Sequence, residues 1–234
     1  NGEVVDTITS GADGTATSKE LYRDKEEVKE MTAPYGMVLN DEIHSVELIY
    51  AGQEVAVTET STSFYNERQK VEIDLTKSLE VDEDYGVGNN GEIFDVSFGL
   101  YAAEELTAAD GTTIPADGLI EVITLDENGH GKAVSDLPMG SYYVQEINTN
   151  AAYLKNETKY PVVFEYAGQE TAVVSITANE GEAIENDLIY GSVSGKKSDE
   201  DGNALGGALI GIFKTGTEEF TTETAIATTT SEDD

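Results

Sequence analysis

Between positions 71 and 76 the chain alternates. Val71, Ile73 and Leu75 are apolar, while Glu72, Asp74 and Thr76 are polar. Side chains two apart on a strand share a face, so this period predicts a half-buried β-strand. Residues 121–125, 141–147, 161–165 and 171–176 read as strands too. Turn signals separate them at Asn128-Gly129, Pro138-Met139-Gly140, Ala167-Gly168 and Asp201-Gly202. Short strands at this spacing predict a sandwich or a barrel. Two stretches pull the other way. Residues 18–31 are rich in Glu, Lys and Leu and look helical by propensity, and residues 101–107 are expected to form a short helical turn.

An internal repeat organises these elements. Tyr50-Ala51-Gly52-Gln53-Glu54 recurs as Tyr166-Ala167-Gly168-Gln169-Glu170, 116 positions on. At the same offset Val46 and Leu48 match Val162 and Phe164, and Val28-Lys29-Glu30 matches Val144-Gln145-Glu146. Asn66 matches Asn186 and Lys77 matches Lys197, both 120 apart. The drift of four fits a longer loop between Gln169 and Asn186. Between Lys77 and Ser97 lies an acidic, Gly-containing insert that the stretch after Lys197 lacks. The unit is thus about 120 residues long. Residues 1–67 read as the back of one unit, 68–187 as a complete unit and 188–234 as the front of the next. The chain is expected to be a window from a longer one. The register lays residues 18–31 over 134–147, which carry Pro138, Gly140 and Tyr142-Tyr143-Val144. The end of that stretch is therefore expected to be a strand.

Composition narrows the function classes. Among 234 residues, 47 acids face 13 bases, a formal charge of −34. Such a chain is repelled by nucleic acid and anionic lipid, and its charge keeps it soluble. Hydrophobic residues are 38% of the total, enough for a core. There is no cysteine, which excludes disulfides and thiolate chemistry. The two histidines, His44 and His130, do not recur at equivalent positions, and no nucleophile elbow or phosphate loop is present. No enzyme activity on an external substrate, cofactor or metal is expected. Asp199-Glu200-Asp201-Gly202-Asn203 looks superficially like a calcium loop but lacks the distal glutamate, and reads as a turn. The strongest apolar run, 208–213, is too short to span a bilayer.

Three polar residues fall on apolar faces. Lys77 continues the Val71, Ile73, Leu75 stripe; Glu146 shares a face with Tyr142 and Val144; Asn186 shares one with Ile184, Leu188 and Tyr190. The partial units repeat this, with Glu30 after Val28, Asn66 after Phe64 and Lys197 after Val193. A buried charge must find a partner or be neutralised. Desolvation lowers a lysine pKa and raises a glutamate pKa. A neutral amine is a nucleophile, and a protonated carboxyl polarises an amide carbonyl. Two readings stay open on spacing alone. One is a buried Lys–Glu ion pair beside a hydrogen-bonded Asn. The other is attack of lysine on the Asn carboxamide, with loss of ammonia.

These residues fit a known pattern. Val71 to Lys77 with Ser97-Phe98-Gly99-Leu100-Tyr101, and Gly191 to Lys197 with Gly207 to Phe213, resemble the opening of the Cna B-type, or SpaA-like, repeats of Gram-positive surface adhesins and pilins. Leu137-Pro138-Met139-Gly140-Ser141-Tyr142-Tyr143-Val144-Gln145-Glu146 is similar to the motif around that family's glutamate, and Asn186 stands on the closing strand. The first segment departs from it at Lys25-Glu26, where Gly and Tyr would be expected. The resemblance implies an all-β chain of tandem Greek-key (reverse immunoglobulin-like) β-sandwich repeats, one complete unit flanked by two partial ones. It also implies an isopeptide bond between Lys77 and Asn186, assisted by Glu146, in a cell-surface or cell-wall stalk. The partial units, with Glu30 and Asn66 or with Lys197 alone, are expected to form no bond. Implied partners are neighbouring repeats of the same chain, and host surface molecules met through other domains. The alternative is an extracellular module that binds a host glycan or matrix protein without a crosslink. An exposed aromatic cluster would mark it, with Tyr153 and Tyr160 as candidates, though core or edge packing is the expected place for both.

Overall fold

The computed structural model describes residues 2–232. Their regular structure is almost entirely strand. β1 (Lys25–Lys29) and β2 (Ile43–Glu47) pair antiparallel. β1 thus places a strand at the end of the helix-prone stretch, as the repeat register required. Long-range pairing outweighs a propensity of well under 1 kcal/mol per residue.

After this pair comes a sandwich. It uses β3 (Lys70–Leu79), β4 (Ser97–Ala102), β7 (Leu119–Thr124), β8 (His130–Ala133), β9 (Gly140–Asn148), β10 (Tyr160–Phe164), β11 (Val173–Thr177) and β12 (Ile184–Asn186). A small pair, β5 (Leu106–Thr107) and β6 (Thr113–Ile114), lies between β4 and β7. One sheet runs β10-β9-β4-β7, antiparallel throughout. The other is built around β3. β8 flanks it antiparallel, while β11 pairs parallel with its first half and β12 parallel with its last residues. The apolar stripe of β3 faces Phe98, Leu100, Tyr142, Val144, Val162 and Phe164, all at most 3% exposed. Burying each such side chain contributes about 1.5–3 kcal/mol. A last pair, β13 (Leu209–Ile212) and β14 (Ala227–Thr230), lies beyond the sandwich.

The helical turn expected over 101–107 is not formed. Tyr101 and Ala102 belong to β4, paired with Tyr143 and Tyr142, and Leu106 and Thr107 form β5. The Tyr101 and Tyr143 rings stack at 5.0 Å. Ladder bonds and a cross-strand aromatic pair outweigh a weak local preference.

The turn before β8 fixes the backbone of β3. Gly129 has φ 77°, and a Cβ there would lie 2.1 Å from the Lys77 carbonyl oxygen. The Lys77 amide donates to the Gly129 carbonyl at 2.8 Å. Only glycine allows this approach, which pins β3 at Lys77. Elsewhere one set of contacts occurs twice. Met37 bridges Arg68 as Tyr153 bridges Leu188. The Val38 amide donates to Glu67 as Leu154 does to Asp187, and Gln69 donates to Gly36 as Ile189 does to Ala152.

Candidate functional site

β3, β9 and β12 each carry one polar residue inward. Lys77, Glu146 and Asn186 are all 2% exposed, and with Gln69 they are the buried polar residues among those described. Lys77 is inward because the alternation of β3 runs on past Leu75. Glu146 follows Tyr142 and Val144 on β9, and Asn186 follows Ile184 on β12. The parallel ladder sets Lys77 beside Ile184 and Leu79 beside Asn186, so the amine and the carboxamide belong to touching strands.

The carboxamide and the carboxyl meet directly. Asn186 Nδ2 donates to Glu146 Oε1 at 2.9 Å and to Thr149 Oγ1 at 3.0 Å. Lys77 Nζ donates at 2.8 Å to the carbonyls of Ser78 and Ile184. Glu146 Oε2 and Asn186 Oδ1 have no hydrogen-bond partner. An unused buried acceptor costs about 1–3 kcal/mol, so the site holds two acceptors short of hydrogen-bond donors. Among the described residues, no ion pair within 4.0 Å includes Lys77. The buried Lys–Glu ion pair that spacing left open is therefore not formed. Burial pushes the Lys77 ammonium down to about 8, against the opposing pull of Glu146, Glu185 and Asp187. A sizeable fraction of the amine is thus neutral near physiological pH. A cleft of about 500 Å³ opens beside it, lined in part by Leu79, Ile93 and Phe94.

The other candidates are only partly assembled. Asn66 Nδ2 donates to Glu30 Oε2 at 2.6 Å, repeating the Asn–Glu contact of the sandwich, and the Asn40 amide also donates to Glu30. Both Glu30 and Asn66 are half-buried. Lys197 is exposed and donates to the Ser198 carbonyl. Tyr153 is buried, with its hydroxyl donating to the Glu80 carbonyl, and the half-buried Tyr160 accepts from Asn156. Neither presents an open aromatic surface. Thr149 was not anticipated. It lies past the alternation of β9, and its counterpart in the first copy is Ala33, so the repeat carried no signal for it. Gln69 was missed as well, being a lone polar residue between Arg68 and Lys70.

No group of three or more His, Cys, Asp or Glu among the described residues is placed to hold a metal ion. No helix there is long and apolar enough to cross a membrane.

Comparison with known proteins extends this picture. The family model for the SpaA prealbumin-like fold domain matches residues 1–63 and 77–180. Among solved structures, the Bacillus anthracis TIE protein superposes with a TM-score of 0.57 at 22% identity, over 95% of this chain and 37% of that one. GBS52, the minor pilin of Streptococcus agalactiae, gives 0.33 at 22% identity over 57% of this chain and 51% of that one. A streptococcal ancillary pilin gives 0.32 at 17% identity over 97% and 65%. The first of these shows a shared fold, and the other two scores are too low to bear on fold or function. The chain spans 37% of the TIE protein's length. No curated protein sequence matches it. With a family match over well more than half its length and a β-sandwich to go with it, the chain belongs to the SpaA family of prealbumin-like fold domains.

Proposed function

We propose that the chain is a stalk segment of a Gram-positive cell-surface adhesin or pilin, and that Lys77 and Asn186 join through an isopeptide bond. The observation that carries this is the buried cluster: an amine depressed to about 8 and a carboxamide held by Glu146, on adjoining strands. In the reaction neutral Nζ attacks Cγ of Asn186. The C–N bond to Nδ2 then breaks, and ammonia leaves with a proton from Nζ. Glu146 accepts that proton and passes it to Nδ2, which it already touches. No external substrate, cofactor or metal takes part.

The stalk is built from tandem units: 1–67 the back of one, 68–187 complete and 188–234 the front of the next. The contacts that occur twice, around Met37 and around Tyr153, support this division. Its partners are neighbouring repeats of the same chain, with host surface molecules reached through other domains. Its place is outside the cell, at the surface or wall.

Intact mass of the denatured full chain tests the bond. The expected mass is lower than the sequence mass by a single ammonia. Among the described residues, no hydrogen bond or ion pair joins a lysine to Glu30 or Asn66, or Lys197 to a carboxyl or carboxamide. Full theoretical mass in a folded chain would refute the bond and leave Lys77 an ordinary buried amine. A Glu146→Ala variant should keep its ammonia.

The rate carries a pH signature. Only the neutral amine attacks, and protonated Lys77 dominates below about 8. Chain recovered unfolded and then refolded should gain the bond about tenfold faster per pH unit below that value, levelling above it. Mass spectra of timed samples between pH 6 and 9 read this, and a flat profile would speak against the lysine as nucleophile.

A further inference from the structure

The repeated Tyr-Ala-Gly-Gln turn has no part in the crosslink, yet it recurs intact. In the sandwich its inner side is held by Gln69, 2% exposed. Gln69 Nε2 donates to the carbonyls of Gly168 and Thr171 at 3.0 and 2.7 Å, and Gln69 Oε1 accepts from the Ala167 amide at 2.8 Å. The outer side of the turn faces away from its own core and meets residues 33–39. Gln169 Oε1 accepts the Ala33 amide at 2.9 Å, and the Gln169 carbonyl accepts the Leu39 amide at 2.9 Å. The Tyr166 hydroxyl donates to the Met37 carbonyl at 3.3 Å, and its ring meets Tyr35 at 4.8 Å. Both ends and the middle of a seven-residue segment are thus held by one turn about 130 residues away in sequence.

We propose that this turn is a docking site for the segment that follows the glutamate of the preceding unit, and that it fixes the angle between successive units. The contacts need backbone amides on either side of a tight turn and an aromatic residue within it, which residues 33–39 supply: the Met37 amide donates to the Pro34 carbonyl at 3.0 Å, Gly36 has φ 84°, and Tyr35 lies between them. Gln69 lies two residues beyond Glu67, whose carbonyl accepts the Val38 amide, so the chain leaving one unit also braces the turn that grips it. The copy at Tyr50-Ala51-Gly52-Gln53-Glu54 repeats the turn's sequence, with Tyr50 60% exposed and Arg23 over its ring at 5.1 Å. The inference rests on the tandem-unit reading and is independent of the crosslink.

The test uses the full chain, which has no native cysteine. Spin labels go on Glu27→Cys in β1 and Thr124→Cys in β7, both exposed. Pulsed electron resonance should give one narrow distance distribution. Tyr166→Ala with Gln169→Ala should widen it and speed exchange of the Ala33 amide by roughly tenfold or more, with β9 amides unchanged. Tyr35→Ser, an exposed change outside the sandwich, should widen it too, and keeps the test valid if the double variant folds poorly. A distribution that starts broad, or stays narrow in Tyr35→Ser and in any folded double variant, would overturn the proposal. Intact mass of the same samples reads the crosslink separately, so failure of one reading is not mistaken for failure of the other.

Discussion

Glu146→Gln is expected to lower the midpoint of thermal unfolding by roughly 15–25 °C. Glutamine has the same shape and can still accept the Asn186 Nδ2 bond at 2.9 Å. Packing is therefore kept, and what goes is the group that moves protons. Without the bond, the hundred or so residues between Lys77 and Asn186 are no longer a closed loop in the unfolded chain. By analogy with a disulfide closing a loop of that size, the bond constrains the unfolded state by about 4–5 kcal/mol. At roughly 4–5 °C per kcal/mol for a sandwich of this length, the shift follows. Calorimetry on samples of known mass reads it. If Glu146→Gln still loses ammonia, Glu146 is not the proton carrier. If it keeps its ammonia but melts within a few degrees of the parent, the bond adds little constraint.

The second large effect is mechanical. Pulled from residue 68 and residue 190, the parent sandwich is expected not to lengthen before the linkers rupture. Lys77→Met, which fills the same space without a nucleophile, should extend by up to ~35 nm as the segment between Lys77 and Asn186 unravels. β3 leads force to Lys77, and the strand bearing Asn186 leads it away. A covalent link there takes β4 to β11 out of the load path. A single-molecule trace with a ~35 nm step in the parent would rule this out, as would the lack of one in Lys77→Met.

Much of the sandwich and its buried cluster was legible in the residues. Val71, Ile73 and Leu75 fixed the inward face of β3, and two further steps put Lys77 on it. Glu146 and Asn186 followed from the same parity. The partners of these strands were not legible. That β11 and β12 lie parallel to β3, one after the other, depends on long-range packing that no local pattern encodes. Thr149 and Gln69 escaped because their roles come from what the fold brings to them. The 101–107 segment was misjudged for the same reason, since the Tyr143 ring and the β9 ladder override its local preference.

The parallel pairing of β3 with β12 decides how far such a protein reaches. The chain enters at Lys70 and leaves past Asn186, which lies beside Leu79 at the other end of the same strand. An antiparallel closing strand would return it to the pole where it entered, and successive copies would pile up side by side. In the proposed tandem arrangement, each unit would move the chain forward by about the length of β3, some 30 Å. On the proposed stalk reading, height above a surface would then grow in proportion to the number of units, and gaining or losing one would change reach without altering any contact within a unit.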